Sequence, residues 1–205
     1  TNECFPNVNI RGGVCYFLWD KEKKSLLTKV CVHSGSEVYC KERKMSASDI
    51  DIFIRDYRSL SLLKKITKMQ ESTFDTVVSS RKPFGLATNF NKTKDFHSEA
   101  DKKHSVKCYA KNYKIGYIDG DMLVSNNEWI KNFKVITPRD NNIGTELKDD
   151  NLNTKIAEPH SVCTETYIVI GAELDLDETS AVNTCNYLRT KFARFFHSLA
   201  KASQD

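Results

Sequence analysis

Apolar residues along this chain fall into short β-like runs divided by polar turns, with two stretches of helical spacing. The run Val14 to Trp19 after Gly12-Gly13, the polar turn Asp20 to Lys24 and the run Leu26 to His33 predict a β-hairpin with a charged tip. Ser34 to Lys44 reads as a loop, or as a loop containing a short strand. Ser48 and Asp51 resemble a capping box, and Ile50, Phe53, Ile54, Tyr57, Leu60, Leu63 and Ile66 then recur at three- and four-residue steps, predicting a core-facing helix that fades near Met69. Phe74 to Val78 predicts a short strand, and Lys107 to Ala110 and Lys114 to Ile118 predict paired strands around Lys111-Asn112-Tyr113. Trp129 and Ile130 fall in a short helix, Phe133 to Ile136 in a strand closed by Pro138, and Asp140 to Thr154 in a long polar loop. Thr166 to Gly171, apolar and rich in β-branched residues, is a further strand. A final helix from about Glu178 aligns Ala181, Cys185, Leu188, Phe192, Phe195 and Leu199. The sum is an α+β fold with a mixed or antiparallel sheet and two long amphipathic helices, the second C-terminal, in one domain over 1–205.

Charge sharpens this picture more than composition does. The 205 residues carry a net charge of +4, too balanced for a nucleic-acid-binding tail, so the placement of charge matters. Lys21 to Lys29, Lys41 to Lys44 and Lys92 to Lys114 are basic, the last interleaved with Tyr109 and Tyr113, while acidic residues collect at Glu146 to Asp150 and Glu173 to Glu178. That asymmetry suits one face turned toward phosphates. No apolar run is long enough to cross a bilayer, which predicts no membrane partner and a cytoplasmic location. The seven cysteines include no Cys-x-x-Cys spacing. Cys15, Cys31, Cys108 and Cys163 sit in apolar runs and read as core thiols in a reducing compartment, with a zinc site from Cys31, His33 and Cys40 as the weaker alternative.

Enzymatic motifs are mostly missing. Gly12-Gly13 lacks dinucleotide-loop spacing, and there is no Walker loop, no Gly-x-Ser-x-Gly elbow and no cysteine in an activating context. Asp140 with Glu146 and Lys148 has the residue types of a metal-dependent nuclease, but among Asn141, Asn142, Asp149 and Asp150 it reads as a solvated loop. An adenine methyltransferase needs an Asn- or Asp-Pro-Pro-aromatic tetrapeptide and a glycine-bearing cofactor loop, and neither is present. What survives is the irregular basic stretch Ser79 to Lys94. Ser80, Arg81, Lys82, Asn89, Asn91, Lys92 and Lys94 offer donors to phosphates and base edges, Pro83 and Gly85 shape the backbone, and Phe84, Leu86 and Phe90 are available as anchors. The competing reading is an ordinary surface loop in which Arg81 pairs with Asp75 or another carboxylate.

Three segments resemble one known family. Cys4 to Asp20 (CFPNVNIRGGVCYFLWD), Ser79 to Leu86 (SSRKPFGL) and Cys163 to Gly171 (CTETYIVIG) with the Arg189 to Leu199 helix are similar, in that order, to passages of adenine-specific restriction–modification DNA methyltransferases, some fused to nucleases. The resemblance implies the C-terminal target-recognition domain of such an enzyme, and with Thr1 in place of a Met the chain reads as a fragment of it. The implied partners are double-stranded DNA and the catalytic methyltransferase domain of the same chain. The parent would bind S-adenosylmethionine and methylate a flipped adenine, while this fragment would hold no cofactor and no catalytic residue. DNA contacts are then expected from Arg11, Ser80, Arg81, Lys82, Asn89, Asn91, Lys92, Lys94, Lys111 and Lys114.

Overall fold

The structure, a computed structural model, describes residues 6–7, 15–34, 36–45, 53–140 and 152–200. They form a mixed α+β architecture with three small sheets and few helices, and the chain divides into two compact units.

The first unit comprises 1–72 and 195–204. Strands β1 (Thr28–Ser34) and β2 (Glu37–Arg43) pair antiparallel, with Ser34 opposite Glu37, so only Gly35 and Ser36 separate them. The hairpin expected between 14–19 and 26–33 is therefore displaced along the chain. Cys15 to Asp20 has no regular structure, and β1 takes as its partner a strand within Ser34 to Lys44, the segment expected to be a loop or a loop containing a short strand. Cys31 faces Cys40 across this hairpin and the two form a disulfide, which corrects both the free-thiol and the zinc reading of these residues. Cys15 is exposed and is no core thiol either.

The predicted helix from Ser48 to Met69 is much shorter. Residues 46–52 lie outside the described set, Phe53 and Ile54 are not helical, and after a 3-10 turn at Tyr57–Ser59 helix α1 spans only Leu60–Thr67. The N-cap here is Asp56, extended at ψ 107°, whose carboxylate accepts from the Arg58 backbone N–H and so stops the helix from running back. Ile54 and Leu63 are this unit's buried hydrophobics among the described residues, and the Arg43 guanidinium donates to the Ile54 carbonyl at 2.5 Å. Most of the exposed large hydrophobics among the described residues fall in this unit, Tyr16, Phe17, Leu18 and Trp19 in succession among them.

The second unit, 73–194, holds two three-stranded sheets. In one, β3 (Val106–Ala110) lies between β4 (Lys114–Ile118) and β7 (Ser161–Cys163), antiparallel to the first and parallel to the second. In the other, β5 (Lys134–Pro138) lies between β6 (Lys155–Ala157) and β8 (Tyr167–Ile170), antiparallel to both. Period-two alternation on β5 and β8 gives this second sheet two apolar faces. Ile136, Tyr167 and Val169 join Phe84, Cys108, Val162 and Cys163 in the main core. Val135 and Ile170 turn the other way onto Ala181, Cys185 and Leu188 of helix α2 (Glu178–Arg189). The outcome is a sheet–sheet–helix stack.

Phe74 to Val78 is not a strand. Phe74–Val77 is a 3-10 turn, and only Val78 bridges to Ile170. The predicted long C-terminal helix is two helices, α2 and α3 (Lys191–Ala200), broken at Thr190. Thr190 has extended ψ 149°, and its hydroxyl accepts from the Ala193 N–H at 3.2 Å, capping the next helix. Among the described residues, neither of the two helices expected from sequence runs unbroken over its expected length.

Lys134 is fully buried on the face of β5 that carries Ile136. Its ammonium donates to the Asn132 carbonyl at 2.9 Å, and burial pulls its pKa down to about 8. Nearby, Lys107 and Tyr109 both donate to Glu158 at 2.5 Å. Burial raises the Cys108 thiol to about 12 and the Cys163 thiol further still, so neither supplies a thiolate nucleophile near neutral pH.

Candidate nucleic-acid interface

The basic loop that follows Val78 is held from within. The Ser79 backbone N–H donates to the Val169 carbonyl at 2.8 Å, and the Ser79 hydroxyl accepts from the Val169 N–H at 2.9 Å, tying the loop's start to β8. Lys82 has a positive φ of 62° and Gly85 one of 75°, and the Gly85 N–H closes a turn on the Lys82 carbonyl at 3.0 Å. Inside that turn the Pro83 carbonyl accepts from Asn126 Nδ2 at 2.6 Å and Ser125 Oγ at 3.1 Å. Phe84 is fully buried edge-on against Trp129, and Leu86 and Phe90 are buried with it. Burying side chains of this size stabilises by about 1.5–3 kcal/mol each. The loop is thus a packed element with a charged rim: Ser80, Arg81, Lys82, Asn89, Lys92 and Lys94 are exposed, and Asn91 is half-buried.

Arg81 does pair with a carboxylate, but with Glu165 rather than Asp75. Both its Nε and its Nη2 are engaged by Glu165 Oε1. The Arg81 side chain remains 71% exposed while Glu165 is only 12% exposed. Arg139 places Nη1 3.8 Å from the same Oε1 and directs Nε to Asp140 Oδ1 at 3.1 Å. Glu165 is fixed through its backbone, because its N–H donates to the Leu86 carbonyl at 2.8 Å.

The β7–β8 connection that carries Glu165 also reaches the β3–β4 hairpin. The Thr164 N–H donates to the Tyr109 carbonyl at 3.0 Å, and the Tyr167 hydroxyl donates to the Ala110 carbonyl at 2.9 Å while accepting from the Tyr113 N–H at 2.8 Å. Lys111 and Lys114 are exposed at the hairpin turn. Lys114 Nζ lies 5.7 Å from the Phe96 ring, two residues beyond Lys94, and Lys155 Nζ lies 3.8 Å over the Tyr113 ring. One buried connection therefore braces the two basic loops predicted from sequence.

Arg11 lies outside the described residues, as do Glu146 and Lys148, while Asp140 is exposed beside Arg139. Among the described residues no cluster of His, Cys, Asp or Glu is arranged to hold a metal, and no helix is long and apolar enough to cross a membrane. Sequence reading missed Glu165, Arg139 and Lys155. Glu165 lies within the Cys163 to Gly171 segment, but its role depends on a partner far away in the chain. No family model, curated protein or solved structure matches the chain.

Proposed function

We propose that this chain reads double-stranded DNA by sequence, as the target-recognition domain of an adenine-specific restriction–modification methyltransferase. The observation that carries the reading is the loop from Ser79 to Lys94. Its apolar residues are spent on anchoring, its backbone is fixed by three separate sets of hydrogen bonds, and its cations face solvent. A merely solvated loop has no need of such fixing, whereas base readout requires donors held in register. Arg81, Lys82, Lys92, Lys94, Lys111 and Lys114 supply contacts, with Ser80, Asn89, Asn91 and Arg11 as further donors. S-adenosylmethionine and the flipped adenine belong to the catalytic domain.

The catalytic domain is the second partner. Tyr16, Phe17, Leu18 and Trp19 are all exposed, Leu18 almost completely at 97%. Four successive apolar side chains are thus offered to solvent by a segment without regular structure, more than scattered surface hydrophobics account for. That pattern supports docking of this segment onto a neighbouring domain.

The test exchanges this domain for a relative's within the full-length enzyme and sequences the methylated sites. The recognition sequence is expected to move with the domain, and an unchanged sequence rejects the assignment. Direct binding of duplex by the chain should weaken with salt by about 0.9 log units per log unit of salt for each phosphate neutralised, a slope of roughly −5 to −6 if every cation named meets a phosphate and about −4 to −5 if the lysines alone do. Magnesium-dependent nicking of plasmid, lost in Glu146→Ala, would instead support a nuclease.

A further inference from the structure

We infer that Glu165 is a positioning residue that holds Arg81 for reading a guanine, an inference that rests on the duplex-recognition role proposed above. The planar guanidinium has two usable edges. Glu165 Oε1 takes the Nε–Nη2 edge, which leaves the Nη1 side to a partner in solvent, where the side chain is 71% exposed. Both ends of the arginine are restrained. Its backbone lies between Ser79, bonded twice to Val169, and the buried Pro83, while its head is held by a carboxylate whose own backbone is bonded to Leu86.

The ion pair is not needed to fasten the loop. With the Arg81 side chain 71% exposed, solvent screens the pair from that side, and Phe84, Leu86 and Phe90 already anchor this segment. What the pair adds is direction. Charge decides between the two DNA targets open to an arginine. Glu165 answers Arg81 and Asp140 answers Arg139, so the charge of each arginine is met by a carboxylate, and a phosphate brought to Arg81 would meet the Glu165 carboxylate. Guanine O6 and N7 are neutral acceptors matched to two parallel N–H donors and meet no such repulsion. Lys82 beside Arg81, and Lys111 and Lys114 at the hairpin turn, are left to the phosphates.

The experiment selects randomised duplexes with the full-length enzyme and compares wild type with Arg81→Ala, Arg81→Lys, Glu165→Gln and Glu165→Ala. Circular dichroism melting checks that each variant is folded. Wild type is expected to select a guanine that both arginine variants stop selecting, since lysine lacks the fork. Replacing that guanine by 7-deazaguanine should weaken wild-type binding about tenfold or more. The Glu165 variants should lose most of this guanine preference while holding or gaining affinity for unrelated duplex, a split that a merely structural role would not produce. Retained guanine preference in the Glu165 variants overturns the inference, as does a uniform loss across sequences in Arg81→Ala, and the duplex-recognition role survives either result. Absence of any duplex binding by wild type overturns both.

Discussion

Two glycines show how closely the loops of the second unit are fitted. A Cβ on Gly85 would lie 2.3 Å from Val124 Cγ2, but Val124 is exposed and can swing aside, so the positive φ of 75° sets most of the cost. Gly116 on β4 is different. A Cβ there would meet the Phe96 ring at 2.3 Å and the His97 carbonyl oxygen at 2.8 Å, and that backbone has nowhere to go. Gly85→Ala should therefore cost about 1–2 kcal/mol, and Gly116→Ala more, about 2–3 kcal/mol, in urea unfolding. Lys134 gives a prediction in pH. Its folded pKa of about 8 lies below the ordinary 10.5, so between these values the unfolded chain holds a proton that the folded chain has released. Stability contributed at this site therefore rises with pH through that window and is lowest below about 8. Lys134→Met should stabilise the protein by about 1–3 kcal/mol near neutral pH. That gain should shrink toward pH 10 when the two proteins are unfolded side by side. Among the site residues, Arg81 was legible because basic side chains clustered with Pro83, Gly85 and aromatics are visible locally. Glu165 was not, because its pairing with Arg81 spans 84 positions and exists only once β8 is docked.

The elements were legible where the signal was local. The β3–β4 hairpin, β5 and β8 lie close to where apolar runs and turn residues predicted them, and Phe84, Leu86 and Phe90 are the expected anchors. Strands β6 and β7 are three residues each, too short for alternation to register, and are recruited by the longer strands beside them. The helices failed for an identifiable reason. Apolar spacing continues across Asp56 and Thr190, but at both positions a side-chain oxygen takes a backbone N–H and the chain turns extended. The β1–β2 hairpin carried a readable signal, since Gly35-Ser36 between flanking β-formers fits a two-residue turn. Its disulfide gives an element-sized test. Closing so short a loop is worth about 2–3 kcal/mol in the chain-entropy account. Adding a thiol reductant should speed amide exchange across 28–43 and leave β3 to β8 unchanged. Equal acceleration in both units would show the bond to be coupled to the whole fold.

The two units differ in what holds them. The second has both apolar clusters, and its middle sheet is covered on each face. The first buries Ile54 and Leu63 among its described hydrophobics while exposing Tyr16, Phe17, Leu18 and Trp19. A fragment of residues 73–194 should accordingly fold alone, with a cooperative thermal transition and dispersed amide resonances. A fragment of residues 15–72 should melt without a sharp transition when nothing covers its apolar residues. A cooperative transition in the shorter fragment would show that its exposed residues are not needed elsewhere.

The parallel pairing of β3 with β7 also sets a timetable. Lys107 meets Ser161 and Tyr109 meets Cys163, while β5 waits for β8 before its second edge is filled. The first sheet is complete only once the chain has emerged past Cys163 and the second only past Ile170, so during synthesis the β3–β4 hairpin stands with one edge open and the loop bearing Arg81 has no Glu165 to grip. Contacts this distant in sequence slow folding, because a long loop must close before any of them forms. The corner where Glu165 grips Arg81 is thus among the last parts of the second unit to be assembled, and a chain stopped short of Glu165 would carry every basic residue of the Ser79 to Lys94 loop without the carboxylate that holds Arg81.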